Sequence, residues 1–159
     1  MTEDSSTFLT PDAHRRLTAE LAELKGPKRI EISDRIAEAR SHGDIRENAD
    51  YHAAKDEQGL MEARILHLEQ ILRDAKVREA VDTGRVEIGS MVTVVDSDGD
   101  EMEFLLAPAE NRGSARLVVS PQSPLGTAVL SRSPGDSVTY EAPGGRFQVT
   151  VASVRPFSG

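Results

Sequence analysis

A short polar segment in the first half of the chain, Gly43 to His52, carries the side chains with the clearest chemical potential. Asp44 and Glu47 lie three residues apart within it. In a helical or turn-like backbone this spacing brings both carboxylates to one side. Two such carboxylates can complete the oxygen shell of Mg²⁺, which takes its other ligands from water and phosphate. The spacing equally fits a solvated polar turn in which Asp44 caps the next helix.

Other catalytic chemistries find little support in the residue types. The chain has no cysteine, which excludes disulfides, a thiol nucleophile and thiolate metal ligation. Its four histidines lack metal-ligand spacing on a common face. Asp96, Asp98 and Asp100 alternate as calcium ligands do, but Gly99 falls between the second and third aspartate and no glutamate closes the loop. The sequence therefore predicts a plain acidic turn there and no self-contained metal site.

Two long amphipathic helices are predicted to hold the polar segment. The first begins at Thr10-Pro11-Asp12, which combines an N-cap, a first-turn proline and an acid at the positive end of the helix dipole. Pro27 is expected to kink or divide this helix without interrupting its apolar stripe. The first stripe consists of Leu17, Leu21, Leu24, Ile32, Ile36 and Ala39, and the second of Met61, Ile65, Leu68, Leu72 and Ala75.

Both stripes advance in steps of three and four residues, the pattern of an a/d seam. With a short polar segment between them, they predict an antiparallel helical hairpin with arms about 45 Å long at 1.5 Å per residue. Asp44 and Glu47 would then lie at its tip. The alternative is a pair of helices folded flat onto the second half of the chain as an ordinary core.

The second half is predicted to form a small, mainly antiparallel β-domain. Runs of β-branched and apolar residues flank two turns, Ser97–Asp100 and Ala142–Gly145. The fold class is therefore α+β, with a coiled-coil hairpin over residues 1–79 and a β-rich domain over residues 80–159.

The composition limits the partners that the chain can bind. A net charge of −8 and an aromatic content of 4% disfavour free nucleic acid and a base-stacking platform. We find no apolar run near the roughly 20 residues that a spanning helix needs, and the acidic start of the chain is unlike an export signal. We therefore expect a cytoplasmic protein with no membrane contact.

The segment Ile36 to Lys55 closely resembles the signature of the bacterial Gre transcript-cleavage factors. The resemblance continues through Gly89–Val94, Ser123–Ala128 and Pro143–Gly145, so it covers nearly the full length. It implies a coiled-coil hairpin followed by an FKBP-like domain, and the acidic composition matches the more acidic of the family's two branches.

The resemblance also implies a role. Such factors bind RNA polymerase, insert the hairpin into its secondary channel and induce cleavage of the 3′ end of backtracked nascent RNA. By motif position, Asp44 and Glu47 match the tip acids beside a catalytic Mg²⁺ that is held jointly with the polymerase. Arg40, Arg46 and Lys55 match basic positions that face the RNA 3′ end, although an ordinary solvated or ion-paired role fits Arg46 and Lys55 equally well. Tyr51 could stack on an extruded base near that end, and packing at the neck of the hairpin, between the arms next to the tip, fits it equally. We expect a monomeric accessory factor rather than an enzyme.

A second segment that matches the family's pattern lies in the β-domain. Ser123, Pro124, Leu125 and Gly126 match the loop that meets the rim of the polymerase channel, although Leu125 could instead pack inward. The chain departs from the family's pattern at Ala107–Ser114 and Ser131–Ser133, and both segments lie away from the tip in the sequence.

Two other functions remain possible from the sequence. One is a Gre-like inhibitor that occupies the channel without inducing cleavage, which the presence of Asp44 and Glu47 argues against. The other is a prolyl isomerase or chaperone, because the β-domain resembles an FKBP fold. That activity needs an aromatic-lined pocket, and the four candidate residues are too few and too regularly spaced to predict one. They are Phe104, Tyr140, Phe147 and Phe157.

Overall fold

The computed structural model describes residues 8–44, 48–77 and 81–158. The chain divides into two compact units. One comprises Arg15–Asp74, and the other joins the residues up to His14 with those from Ala75 onward. This division differs from the predicted domains 1–79 and 80–159, because both ends of the predicted first domain, up to His14 and from Ala75, belong to the β-rich unit. None of the helices in these ranges is long and apolar enough to cross a membrane.

The helical arms follow the predicted pattern. Helix α1 (Pro11–Glu23) passes through a π-helical turn (Leu24–Lys28) into α2 (Arg29–Ser41), and α3 (Ala49–Asp74) forms the second arm. Thr10 caps α1, since its Oγ1 accepts a hydrogen bond from the backbone N–H of Ala13 at 3.0 Å. Pro27 lies inside the π-helical turn. A π turn changes the local hydrogen-bond pattern, which lets the chain absorb a residue without a backbone N–H and remain helical.

The two predicted stripes form the core of the helical unit. Buried side chains from α2 and α3 make one cluster, against which Leu21, Leu24 and Tyr51 pack. The buried members are Ile32, Ile36, Ala54, Met61 and Ile65. Near the end of α3, Leu68 and Ile71 are buried while Leu72 is half-buried. The second stripe therefore widens there from a narrow seam to a broader apolar face.

Ion pairs join the two arms along their length. Arg29 and Arg64 each donate two hydrogen bonds to one carboxylate, of Glu62 and Glu20 respectively, at 2.7–3.0 Å. Further pairs are Arg35 with Glu57 at 2.6 Å and Lys25 with Glu69 at 3.0 Å. Hydrogen bonds from the arginines hold the pKa of Glu20, Glu57 and Glu62 below its ordinary value. These carboxylates therefore stay ionised at neutral pH. The bidentate hydrogen bonds from arginine also favour one alignment of the two arms.

The β-rich unit contains two sheets. β1 (Phe8–Leu9) pairs in parallel with β2 (Lys76–Val77). The larger sheet has the order β5–β4–β3–β7–β6. Its strands are β3 (Ser90–Asp96), β4 (Glu101–Leu106), β5 (Val118–Val119), β6 (Ser137–Ala142) and β7 (Gly145–Pro156). Both predicted hairpins are present, while β5 pairs with β4 in parallel.

One face of the larger sheet carries the main core. Val92, Phe104 and Val151 are fully buried there, and the short helix α4 (Pro124–Val129) contributes the buried Val129. β-branched residues on β3, β6 and β7 supply most of this cluster, as the alternating pattern predicted.

A buried asparagine holds the start of the chain to the β-rich unit. The Asn111 side chain is fully buried at the end of a 3₁₀ turn (Ala109–Asn111). Its Oδ1 accepts from the Thr10 backbone N–H at 2.8 Å, and its Nδ2 donates to the Phe8 carbonyl oxygen at 2.9 Å. This asparagine lies in the divergent segment Ala107–Ser114, which thus has a structural role.

Candidate functional site

The tip of the hairpin begins where α2 ends. The backbone N–H of His42 donates to the Ala39 carbonyl oxygen at 3.2 Å, which closes the last turn. Gly43 follows with φ of +125°. This backbone conformation strains any residue with a Cβ, so glycine allows the chain to turn away from the helix immediately before Asp44.

Asn48 connects the two arms at the tip. Its Oδ1 accepts a hydrogen bond from the backbone N–H of Tyr51 at 3.1 Å, which is an N-cap of α3. Its Nδ2 donates to the carbonyl oxygen of Ala39 in the last turn of α2. One side chain therefore satisfies groups at the start of α3 and the end of α2. Sequence reasoning missed this residue, although an asparagine directly before a helix is a recognised start signal.

The structure places Asp44 exposed at the tip, after α2 and Gly43. Glu47 and Arg46 lie outside the described residues. Among residues 8–44, 48–77 and 81–158, no group of three or more histidines and acids could hold a metal ion. A carboxylate oxygen is the donor type that Mg²⁺ prefers, so Asp44 fits this ion chemically. Asp44 by itself supplies a single carboxylate, so a Mg²⁺ ion there would need further ligands from elsewhere.

The side chains predicted to lie near the RNA 3′ end differ from one another in their surroundings. The Arg40 guanidinium carbon lies 5.7 Å from the centre of the Tyr51 ring, a cation–π arrangement between the two arms. Tyr51 is half-buried and packs against the hairpin core, which supports the alternative of packing at the neck. Lys55 is exposed, and its Nζ donates to Gln58 Oε1 at 2.9 Å. Arg40 and Tyr51 therefore lie together near the tip, with Lys55 one turn further along α3.

The predicted docking loop is the start of a helix. Ser123 Oγ accepts from the Gly126 backbone N–H at 3.1 Å, and Pro124 occupies the first turn of α4. Leu125 is half-buried and packs inward against the main core cluster. A Cβ on Gly126 would meet the Ser120 carbonyl oxygen at 1.9 Å, so only glycine fits there. A serine followed by proline is a common helix-start pair, and this signal could have predicted α4.

Two family models match the chain. One describes the N-terminal part of the transcription elongation factors GreA and GreB and matches residues 7–77. The other describes the C-terminal part of the same factors and matches residues 81–156. The chain belongs to the GreA/GreB family of transcription elongation factors.

Individual relatives extend along the whole chain. It is 45% identical to transcription elongation factor GreA of Streptomyces coelicolor, over 99% of this chain and 98% of the relative. It is also 45% identical to GreA of Saccharopolyspora erythraea over the full length of both. A solved structure, GreA factor homolog 1 of Thermus thermophilus, is 27% identical and covers 94% of this chain and 99% of its own, with a TM-score of 0.44.

Proposed function

We propose that this protein binds RNA polymerase and stimulates cleavage of the 3′ end of backtracked nascent RNA. The hairpin enters the secondary channel, and Asp44 and Glu47 act at its tip. The protein is an accessory factor that activates hydrolysis by the polymerase, working as a cytoplasmic monomer. The observation that carries this proposal is the pair of residues that bracket the acidic segment: Gly43 ends the first arm with a positive φ, and Asn48 joins the end of α2 to the start of α3.

The carboxylates are the reactive contribution of this chain. Mg²⁺ held jointly with the polymerase would supply a Lewis acid and a bound water for phosphodiester hydrolysis. Asp44 and Glu47 would provide oxygen ligands to that shared ion. Two carboxylates alone bind Mg²⁺ too weakly to organise a reaction, which is why the host active site is required.

Basic residues near the tip would act on the RNA. Arg40 lies against Tyr51, and this contact limits the guanidinium to positions near the neck of the hairpin. Arg46 and Lys55 are proposed to donate charge-assisted hydrogen bonds to phosphates of the displaced RNA. Paired charges and a shared apolar cluster hold the two arms side by side, which supports their role in presenting the tip.

Anchoring is assigned to the β-rich unit. A chain with a net charge of −8 gains little from long-range attraction to a cavity that contains RNA. Short-range contacts from the first turn of α4 are therefore proposed to hold the polymerase, with Ser123 and Pro124 as the principal contacts. Leu125 and Gly126 serve mainly to seat that turn on the core, since both pack inward.

The test uses stalled elongation complexes that carry RNA labelled at its 5′ end. Adding the protein should shorten the RNA from its 3′ end, whereas the protein without polymerase should leave free RNA intact at the same Mg²⁺ concentration. Slower transcription without shortened RNA would support the inhibitor alternative. Cleavage of free RNA by a nuclease-free preparation would contradict the accessory role.

A further inference from the structure

A second candidate site lies in the β-rich unit, on the core face of its larger sheet. A cavity of about 390 Å³ opens between the β3–β4 and β6–β7 hairpins. Buried Val94 and Val149 belong to its lining, together with the half-buried Met102. This volume lies within the range of about 300–1,000 Å³ that is typical of ligand sites.

An aromatic pair forms part of the cavity wall. Tyr140 lies directly opposite Phe147 in the β6–β7 register, and their rings stack with centroids 5.5 Å apart and planes inclined by 27°. Phe147 is 42% exposed, a large fraction for a phenylalanine. The faces of aromatic rings carry negative electrostatic potential, so they attract cations as well as apolar groups.

The rest of the rim is strongly acidic. Asp96, Asp98, Asp100 and Glu101 line the cavity together with Arg146. Four acids against one arginine leave a formal charge of −3. Within the described part of the chain, Arg146 pairs with Glu141 at 3.2 Å, while no ion pair involves the four acids of the rim. Asp96 instead accepts the backbone N–H groups of Asp98 and Asp100 at 2.8 and 2.9 Å, which orders the turn.

We propose that this cavity binds a basic segment of a partner protein through an arginine or lysine side chain. The apolar stem of that side chain would lie on the Tyr140–Phe147 pair, and its charged end would meet the carboxylates of Asp98, Asp100 and Glu101. Charge complementarity favours this occupant. The lining residues carry a formal charge of −3, which would repel a nucleic acid, and a neutral apolar ligand would make no ionic interaction with their carboxylates. This site is independent of the hairpin tip.

The test is NMR titration of the full-length protein, labelled with ¹⁵N, at physiological salt. The probe is a short synthetic peptide with the sequence Gly-Arg-Leu-Arg-Gly, blocked at both ends. We expect amide shifts that concentrate in residues 96–102 and 140–149. The matched peptide with glutamate in place of both arginines should produce no such shifts.

Two sets of variants separate the cavity from general charge. Phe147→Thr removes the aromatic ring but introduces a β-branched residue that suits a strand, and Asp98→Asn combined with Asp100→Asn removes two rim charges. Each should weaken binding of the arginine peptide at least about fivefold. Glu87→Gln combined with Glu110→Gln removes two charges outside the cavity lining and should leave the affinity within about twofold.

Folding of each variant is checked by its amide spectrum before titration. No binding at 2 mM peptide, about equal binding of the glutamate peptide, or an equal loss in the control variant would each overturn the proposal. Shifts confined to other regions, or equal competition by a short RNA, would overturn it as well.

Discussion

Replacing Asn48 tests whether the tip must be held in one arrangement to act. Asn48 caps α3 through its Oδ1 and binds the end of α2 through its Nδ2. Asn48→Ser keeps an N-cap acceptor but is too short to reach the Ala39 carbonyl oxygen. Asn48→Ala removes both interactions. The two variants therefore separate the contact between the arms from the cap itself.

The expected magnitudes follow from these contacts. Loss of one hydrogen bond costs about 1 kcal/mol, and loss of an N-cap costs about another 1 kcal/mol. At 1.4 kcal/mol per tenfold change, the serine variant should lower the maximal cleavage rate by up to about fivefold and the alanine variant by up to about 30-fold. These are upper values, because they assume that the full stabilisation is needed when the tip acts.

The assay measures cleavage of labelled RNA in stalled elongation complexes over a range of factor concentrations. We expect the rate at saturation to fall in the order wild type, Asn48→Ser, Asn48→Ala. The half-saturating concentration should change by less than about twofold, since α4 is remote from this residue in the sequence and belongs to the other compact unit. Wild-type rates at saturation for both variants, or an effect confined to the half-saturating concentration, would refute the positioning role.

Three further predictions concern the arms, the core and docking. Hairpin stability, followed by circular dichroism at 222 nm, should fall as the pH drops below about 4.5. The glutamates paired with arginine have lowered pKa values in the folded protein, so in this pH range the unfolded state binds more protons than the folded state. Glu62→Gln should make the fall in stability shallower. Asn111→Leu removes two buried hydrogen bonds to the backbone of Thr10 and Phe8, so the free energy of unfolding in urea should drop by about 2–4 kcal/mol, and an unchanged value would contradict the hydrogen-bond assignment. Ser123→Glu combined with Pro124→Ala should weaken polymerase binding and cleavage together, with cleavage restored at high factor concentration; unchanged binding, or failed rescue of a folded variant, would exclude α4 as the anchor.

The sequence predicted the arms and the strand pairs because their evidence is local. Apolar steps of three and four residues specify a helix face, and alternation specifies a strand face. Thr10 as an N-cap and the two β-hairpin turns were confirmed for the same reason. The resemblance to the Gre signature then led to the family, which the two family models show directly.

Features that depend on pairing between distant residues were beyond the sequence. Asn111 binds the backbone of Thr10 across 101 positions, and no periodicity encodes that contact. The bond from Asn48 to Ala39 depends on how the two arms meet at the tip. The cavity between the β-hairpins depends on the register that sets Tyr140 opposite Phe147, so counting aromatic residues could not reveal it.

The central claim is that the tip carboxylates supply chemistry and that binding resides elsewhere. The most direct measurement compares wild-type protein with Asp44→Ala and with Glu47→Ala at saturating concentration on stalled elongation complexes. Each variant should lose induced cleavage while binding the polymerase as tightly as the wild type, and each should therefore inhibit cleavage when mixed with wild-type protein. Cleavage by Asp44→Ala at the wild-type rate would contradict the claim.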